Sequence, residues 1–200
     1  MENLESKKAK NTKEIFDWLE VIISSVLIVV VLFTFVFRAV QIDGESMTNT
    51  LQDGDRVIIS NLFYTPKQGD IVVISRNTFN STDNPTSKTP IIKRVIAVAG
   101  QTVDIQHGCV YVDGYALDEP YIRDYDQNHY STYQYTDYEN PTKFPLTVKE
   151  NCVFVLGDNR QNSLDSRSAN TGDGGQINTK YILGKAILRI FPMKSFGVLK

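Results

Sequence analysis

Two hydrophobic patterns divide the 200-residue chain. In VIISSVLIVVVLFTFVF, residues 21–37, apolar positions follow one another without a charge. With Trp18 and Leu19 the run reaches roughly 20 residues, the helix length that crosses a hydrocarbon layer about 30 Å thick. Glu20 falls near one end of it, and Trp18 suits headgroup depth. After Arg38 the pattern changes to short β-branched runs closed by turn residues: AVQI, DRVIIS, DIVVIS, IIKRVIAV, TVDI, CVYVDG, CVFVLG and KAILRIF. These predict a mainly β fold, an antiparallel sheet or partly open barrel, after one N-terminal transmembrane helix.

The expected organisation is a cytoplasmic tail over 1–14 and a single-pass membrane anchor over 15–37. An extracytoplasmic β core follows over 38–104 and 150–194, with an inserted β/loop subdomain over 105–149 and a tail over 195–200. Lys7, Lys8, Lys10 and Lys13 precede the apolar run, and this excess puts the N-terminus in the cytoplasm. A cleavable leader is the alternative. Its apolar region would be shorter, about 7–15 residues, and followed by a small-x-small site. The sequence VFRAVQ offers bulky or charged residues there instead.

Two segments break the strand rhythm. RNTFNSTDNPTSKTP, residues 76–90, is polar and reads as a loop. A later stretch holds Tyr121, Tyr125, Tyr130, Tyr133, Tyr135 and Tyr138. It reads either as an irregular hairpin whose rings pack together or as a surface at headgroup depth.

Composition narrows the function classes. At 42% hydrophobic, 22% charged and net charge −2, the chain can bury a real core, and its mild acidity argues against nucleic acid as a main partner. Cys109 and Cys152 are either a disulfide or two small buried apolar groups. No motif calls for a cofactor or metal, and His107 and His129 stand alone.

Three stretches carry candidate chemistry. Ser46 sits on a Gly-flanked turn after a strand-like run, where most serines are only turn residues. Lys93 and Arg94 interrupt an apolar strand, and alternation sends neighbours to opposite faces, so one of them faces the core. A buried lysine must be paired in a salt bridge or be a neutral amine. A neutral amine is a general base, and acting near pH 7 needs a drop of roughly 2–3 units from a reference near 10.4. Finally, GDNRQNSLDSR contains two Asp-x-Arg pairs, Asp158 with Arg160 and Asp165 with Arg167, of a kind that can cross-link a loop.

Together these stretches resemble the type I signal peptidase family. SMTNTL is similar to its serine motif, GDIVVI to its second motif, IIKRVIAVAG to its lysine motif and GDNRQNSLDSR to its last, in the family's order and after a membrane span. The single span and small size resemble the Gram-positive form. The resemblance implies a membrane-bound serine endopeptidase that removes N-terminal signal peptides from secreted preproteins after small residues at −1 and −3. It implies Ser46 as nucleophile, Lys93 as general base, Ser163 holding the Lys93 amine, and Asp165, Arg167, Asp158 and Arg94 as supporting residues, Arg94 turned away from the core face and paired with Asp158. The backbone N–H groups of Ser46 and Gly44 are the implied oxyanion donors. The implied pocket walls are Val40, Ile42, Met47, Leu51, Val57, Val73 and Ile92. Expected partners are preproteins, membrane lipid and the export machinery.

Three positions depart from the family pattern: Asn49 stands where proline is usual, and Ala97 and Ala99 replace glycine and proline. A self-cleaving repressor-type Ser–Lys protease and a non-enzymatic anchored β-domain, for adhesion or as an inactive relative, are the alternatives. The first would want a DNA-binding module, and the second draws on the three departures.

Overall fold

The computed structural model describes residues 2–75, 89–122, 132 and 140–199. Most of the polar loop and most of the tyrosine-rich stretch, including Tyr125, Tyr130, Tyr133, Tyr135, Tyr138 and His129, lie outside the described residues. The chain forms two compact units, Met1–Arg38 and Ala39–Lys200.

The first unit is the helix α1, Glu2–Phe35. Its 22-residue stretch Lys13–Thr34 is apolar enough to cross a membrane, and none of it is buried within the protein. At 1.5 Å per residue such a stretch spans about 33 Å, enough for the hydrocarbon layer. The helix ends at Phe35, and the chain passes through Val36 into a strand that begins at Phe37.

The second unit is built from the strands β1 (Phe37–Gln41), β2 (Arg56–Ser60), β3 (Ile71–Ile74), β4 (Ile91–Val98), β5 (Thr102–Gln106), β6 (Cys109–Val112), β7 (Tyr115–Ala116), β8 (Leu146–Thr147), β9 (Cys152–Leu156), β10 (Ile177–Asn178), β11 (Ile182–Phe191) and β12 (Gly197–Val198). Among the described residues they make an eight-stranded sheet in the order β1-β2-β11-β3-β4-β9-β10, with β12 on β11, and a four-stranded sheet in the order β7-β6-β5-β8. Among the described residues, the ladders that join β2 through β12 are antiparallel throughout. The expected mainly β, antiparallel architecture is what the chain adopts.

The second sheet and the C-terminal residues both join the second unit. The second sheet starts at Thr102, inside the expected core segment, and it belongs to the same compact unit. The reason is a shared core: Val103, Ile105, Val110 and Val112 pack with Ile96, Ala97, Phe154 and Leu156 of the larger sheet. Gly197 and Val198 pair with Arg189 and Leu188, and Leu199 is buried against Met47 and Val57.

β4 is the strand that matters most. It pairs with β3 along Ile91 to Arg94 and with β9 from Arg94 onward. The β9 ladder slips by one residue between Val95 and Ala97, a bulge that turns both Ile96 and Ala97 into the same core cluster. One of the alanines that departs from the family pattern is therefore a fully buried packing residue.

Candidate active site

Ser46 opens a run of turns over residues 46–50. Met47 and Leu51 are both 0% exposed and pin this run to the core, while Ser46 stays half-buried at its start. Backbone bonds from Thr48 N to Glu45 O (3.0 Å) and from Leu51 N to Met47 O (2.8 Å) close the turns. Lys93 approaches from the middle of β4. Its Nζ donates to Ser46 Oγ at 2.7 Å and to the Ile92 carbonyl at 2.9 Å.

Lys93 and Arg94 are each 3% exposed, so both neighbours are buried rather than one. The strand lies between cover on both sides, and each cation has its own destination. Arg94 makes a two-pronged pair with Asp158, Nε to Oδ1 at 2.9 Å and Nη2 to Oδ2 at 2.7 Å. Its Nη1 donates to Gly69 O at 2.8 Å, and Thr50 Oγ1 donates to Asp158 Oδ2 at 2.5 Å. Burial disfavours the Arg94 charge, but Asp158 outweighs it and holds the guanidinium protonated more firmly than usual. This pair thus links β4, the loop after β9 and the serine turn.

That loop is folded back on its own strand. Asp165, fully buried, accepts from Arg167 Nε (2.8 Å), Arg167 Nη2 (2.9 Å) and Gly157 N (3.1 Å). Burial pushes its carboxyl upward, but Arg167, the Gly157 N–H and the Ser163 hydroxyl prevail and leave it below the usual range. Ser166 Oγ accepts from Val155 N at 3.0 Å, tying the loop to β9. Asn159 then grips the serine turn: its N–H donates to Ser46 O at 3.0 Å and its Nδ2 to Glu45 O at 3.1 Å. Gly157 makes this approach possible, since an added Cβ would collide with Ser163 Oγ and Ser46 O.

Of the two expected oxyanion donors, Gly44 is not available in this geometry. Its N–H donates to Asp53 Oδ1 at 2.9 Å, because Ile42 and Gly44 are laced to the turn at 53–55. The candidate pocket walls do converge. Ile42, Met47, Leu51, Val57, Val73 and Ile92 form one cluster, with half-buried Val40 packed against it. A separate cavity of about 690 Å³, lined by Tyr64, Val98, Cys152 and Lys180, includes neither Ser46 nor Lys93.

Glu119 and Asn159 carried no signal in the sequence, Tyr121 stood there only as one of a run of tyrosines, and Arg160 stood there only beside Asp158. Arg160 pairs with Glu119 rather than within its own loop, and the Tyr121 ring lies 3.8 Å from Arg94 Cζ.

Residues 15–191 match the signal peptidase, peptidase S26, family. The chain belongs to the signal peptidase I family. It is 32% identical over 191 residues to signal peptidase I P of Bacillus subtilis subsp. natto, covering 94% of this chain and 95% of that one. It is 34% identical over 204 residues to a probable signal peptidase I-2 of Synechocystis, covering 98% and 83%. A crystal structure of a signal peptidase I from Enterococcus faecalis V583, 29% identical, overlaps 61% of this chain and 97% of that one with a TM-score of 0.44. As a signal peptidase I, this protein is a hydrolase that cleaves signal peptides from secretory preproteins. Asn49 has φ 102°, a conformation closed to the usual proline, whose φ is fixed near −65°. The Asn49 amide donates to the Tyr121 carbonyl at 3.2 Å.

Proposed function

We propose that this signal peptidase works through a Ser46–Lys93 dyad and an acyl-enzyme. The observation that carries the reading is the 2.7 Å separation of Ser46 Oγ and Lys93 Nζ, with Lys93 buried. In the reactive state Lys93 is a neutral amine. One of its N–H bonds stays on Ile92 O, which aims the lone pair at Ser46, and the hydroxyl then donates to nitrogen across the same distance. Ser46 Oγ attacks the scissile carbonyl as its proton passes to Nζ. The ammonium returns that proton to the leaving amine, and the neutral lysine next deprotonates the water that releases the acyl group. The Ser46 N–H stabilises the oxyanion. Arg94–Asp158 and Asp165–Arg167 brace the two segments that meet here, and Ser163 orients the Lys93 amine.

The substrate adds as a strand. Among the described residues, Ile91 to Lys93 have a partner strand on the β3 side only, since the β9 ladder begins at Arg94. An extended peptide fits against that edge and presents alternate side chains to the cluster of Val40, Ile42 and Ile92. Small residues at −1 and −3 suit a wall already filled by its own core. The helix α1 anchors the enzyme in lipid, with the N-terminal lysines cytoplasmic and the catalytic unit outside, beside the export machinery.

The test is cleavage of a preprotein with Ala at −1 and −3 by the purified full chain in detergent. We expect Ser46→Ala to abolish cleavage and Lys93→Ala to lower kcat by at least about a thousandfold. Equal cleavage by wild type and Ser46→Ala would sink the dyad.

A further inference from the structure

The connection between β7 and β8 places a carboxylate at the meeting point of the two catalytic segments. Glu119 is buried, 3% exposed, in a stretch that carries no strand. Its Oε2 accepts from Arg160 Nη1 at 2.9 Å, and its Oε1 pairs with Arg160 Nη2. Arg160, 2% exposed, also donates to Gly157 O, at 3.1 Å from Nε, and to the Thr132 hydroxyl. Residues 157–160 are the part of the loop whose Asn159 N–H holds the Ser46 carbonyl. One route therefore runs from Glu119 through Arg160 and the loop backbone to Ser46.

A second route runs to Lys93. Glu119 Oε1 accepts from Tyr121 Oη at 2.9 Å. The Tyr121 ring lies against the Arg94 guanidinium at 3.8 Å, a cation–π contact in a desolvated setting. Arg94 directly follows Lys93 on β4 and is fixed by Asp158, which also receives Thr50 from the serine turn. The Tyr121 carbonyl accepts from Asn49 of that same turn. A single carboxylate thus ties down both the segment bearing Ser46 and the strand bearing Lys93, and it touches neither reacting atom.

We propose that Glu119, with Tyr121, is a positioning residue that sets the distance between Ser46 and Lys93. The inference rests on the dyad reading above. Exchanging Glu119 for Gln keeps the shape and an accepting oxygen but removes the charge that holds Arg160. The loop then relaxes, and the Ser46 carbonyl moves with Asn159. A displacement near 1 Å at reacting groups is worth about a hundredfold in rate. Ground-state binding of the peptide edge is untouched, so the change falls on kcat and not on KM.

The experiment uses the full chain in detergent, with active sites counted by a serine-directed acylating probe and kcat expressed per titrated site. A merely structural role lowers the number of titratable sites and the melting temperature and leaves kcat per site alone. We expect Glu119→Gln to lower kcat per site about ten- to a hundredfold with KM within about twofold. Tyr121→Phe keeps the ring on Arg94, loses one hydrogen bond and leaves no charge unpaired. It should lower kcat per site by about three- to tenfold. Lys149→Ala, which removes an exposed pair with Asp173, is the control and should match wild type. Unchanged kcat per site in Glu119→Gln overturns the inference. If that variant yields no titratable sites, unchanged kcat per site in Tyr121→Phe overturns it. Cleavage by Ser46→Ala would remove the dyad itself, a signature distinct from either.

Discussion

Asn49 shows how one side chain can replace a stiff residue by a different device. Proline restricts a turn by its ring, whereas Asn49 takes φ 102° and fastens itself by its amide to Tyr121 O. Restoring the family's usual residue should therefore harm this protein. We expect Asn49→Pro to lower stability by more than about 1 kcal/mol, because its ring cannot reach a positive φ and its side chain offers no donor. Thermal unfolding in detergent measures the loss, and a melting temperature at or above wild type would refute it. The sequence showed the missing proline but not the sign of the backbone angle. Residue identity names the candidates for a left-handed conformation, and only the surrounding hydrogen bonds decide which one adopts it.

At the scale of elements, the loop after β9 is where the sequence spoke most clearly, and only the partner of Arg160 escaped it. Asp165 and Arg167 pair as their spacing suggests, whereas Asp158 and Arg160 do not pair with each other at all. Asp158 goes to Arg94, the partner the resemblance implied, and Arg160 goes to Glu119, which nothing in the sequence indicated; these partners lie 64 and 41 positions away. Long-range pairs of this kind leave no periodic trace, whereas the β-branched runs of β2, β3, β4 and β9 do. The two-residue strands β7, β8, β10 and β12 escaped for the same reason, being too short to show alternation. Gly157 is the joint of this element. We expect Gly157→Ala to push Ser163 and the Ser46 carbonyl apart and to cut cleavage more than about tenfold, with the protein still folded. Near-normal cleavage would show that the loop can back away without consequence.

For the whole molecule, buried carboxylates set the response to acid. Asp165 lies below the usual carboxyl range when folded, and Asp70, opposed by burial but held by Lys185 and Tyr64, does too. A depressed carboxyl contributes stability that is present above its unfolded pKa, about 3.9, and is lost as pH falls toward the folded value. Unfolding followed at about pH 7, 5 and 3 should therefore show wild type losing stability mainly in the last interval. Asp165→Asn should be less stable at about pH 7 and close part of its gap to wild type by about pH 3. A constant gap would contradict the assignment. At the other end of the chain, α1 exposes Val26, Leu27, Val29 and Val30 with no protein cover. Val29→Asp places a charge near the middle of the candidate span, at about 2.5–3.5 kcal/mol. A larger share of that variant should be extracted from membranes by alkaline carbonate, and an unchanged share would argue that α1 does not span.

The bond from Asn49 to the Tyr121 carbonyl also bears on how this enzyme can be recombined. The serine turn and the connection after β7 are 72 positions apart, yet each supplies half of one joint. A chimaera that imported the connection alone from a proline-bearing relative would bring a segment shaped for a turn that offers no such donor. One that imported the serine turn alone would leave the Tyr121 carbonyl without its present partner. Parts of this protease are therefore exchangeable only in matched sets, and the seams of a successful graft fall outside both.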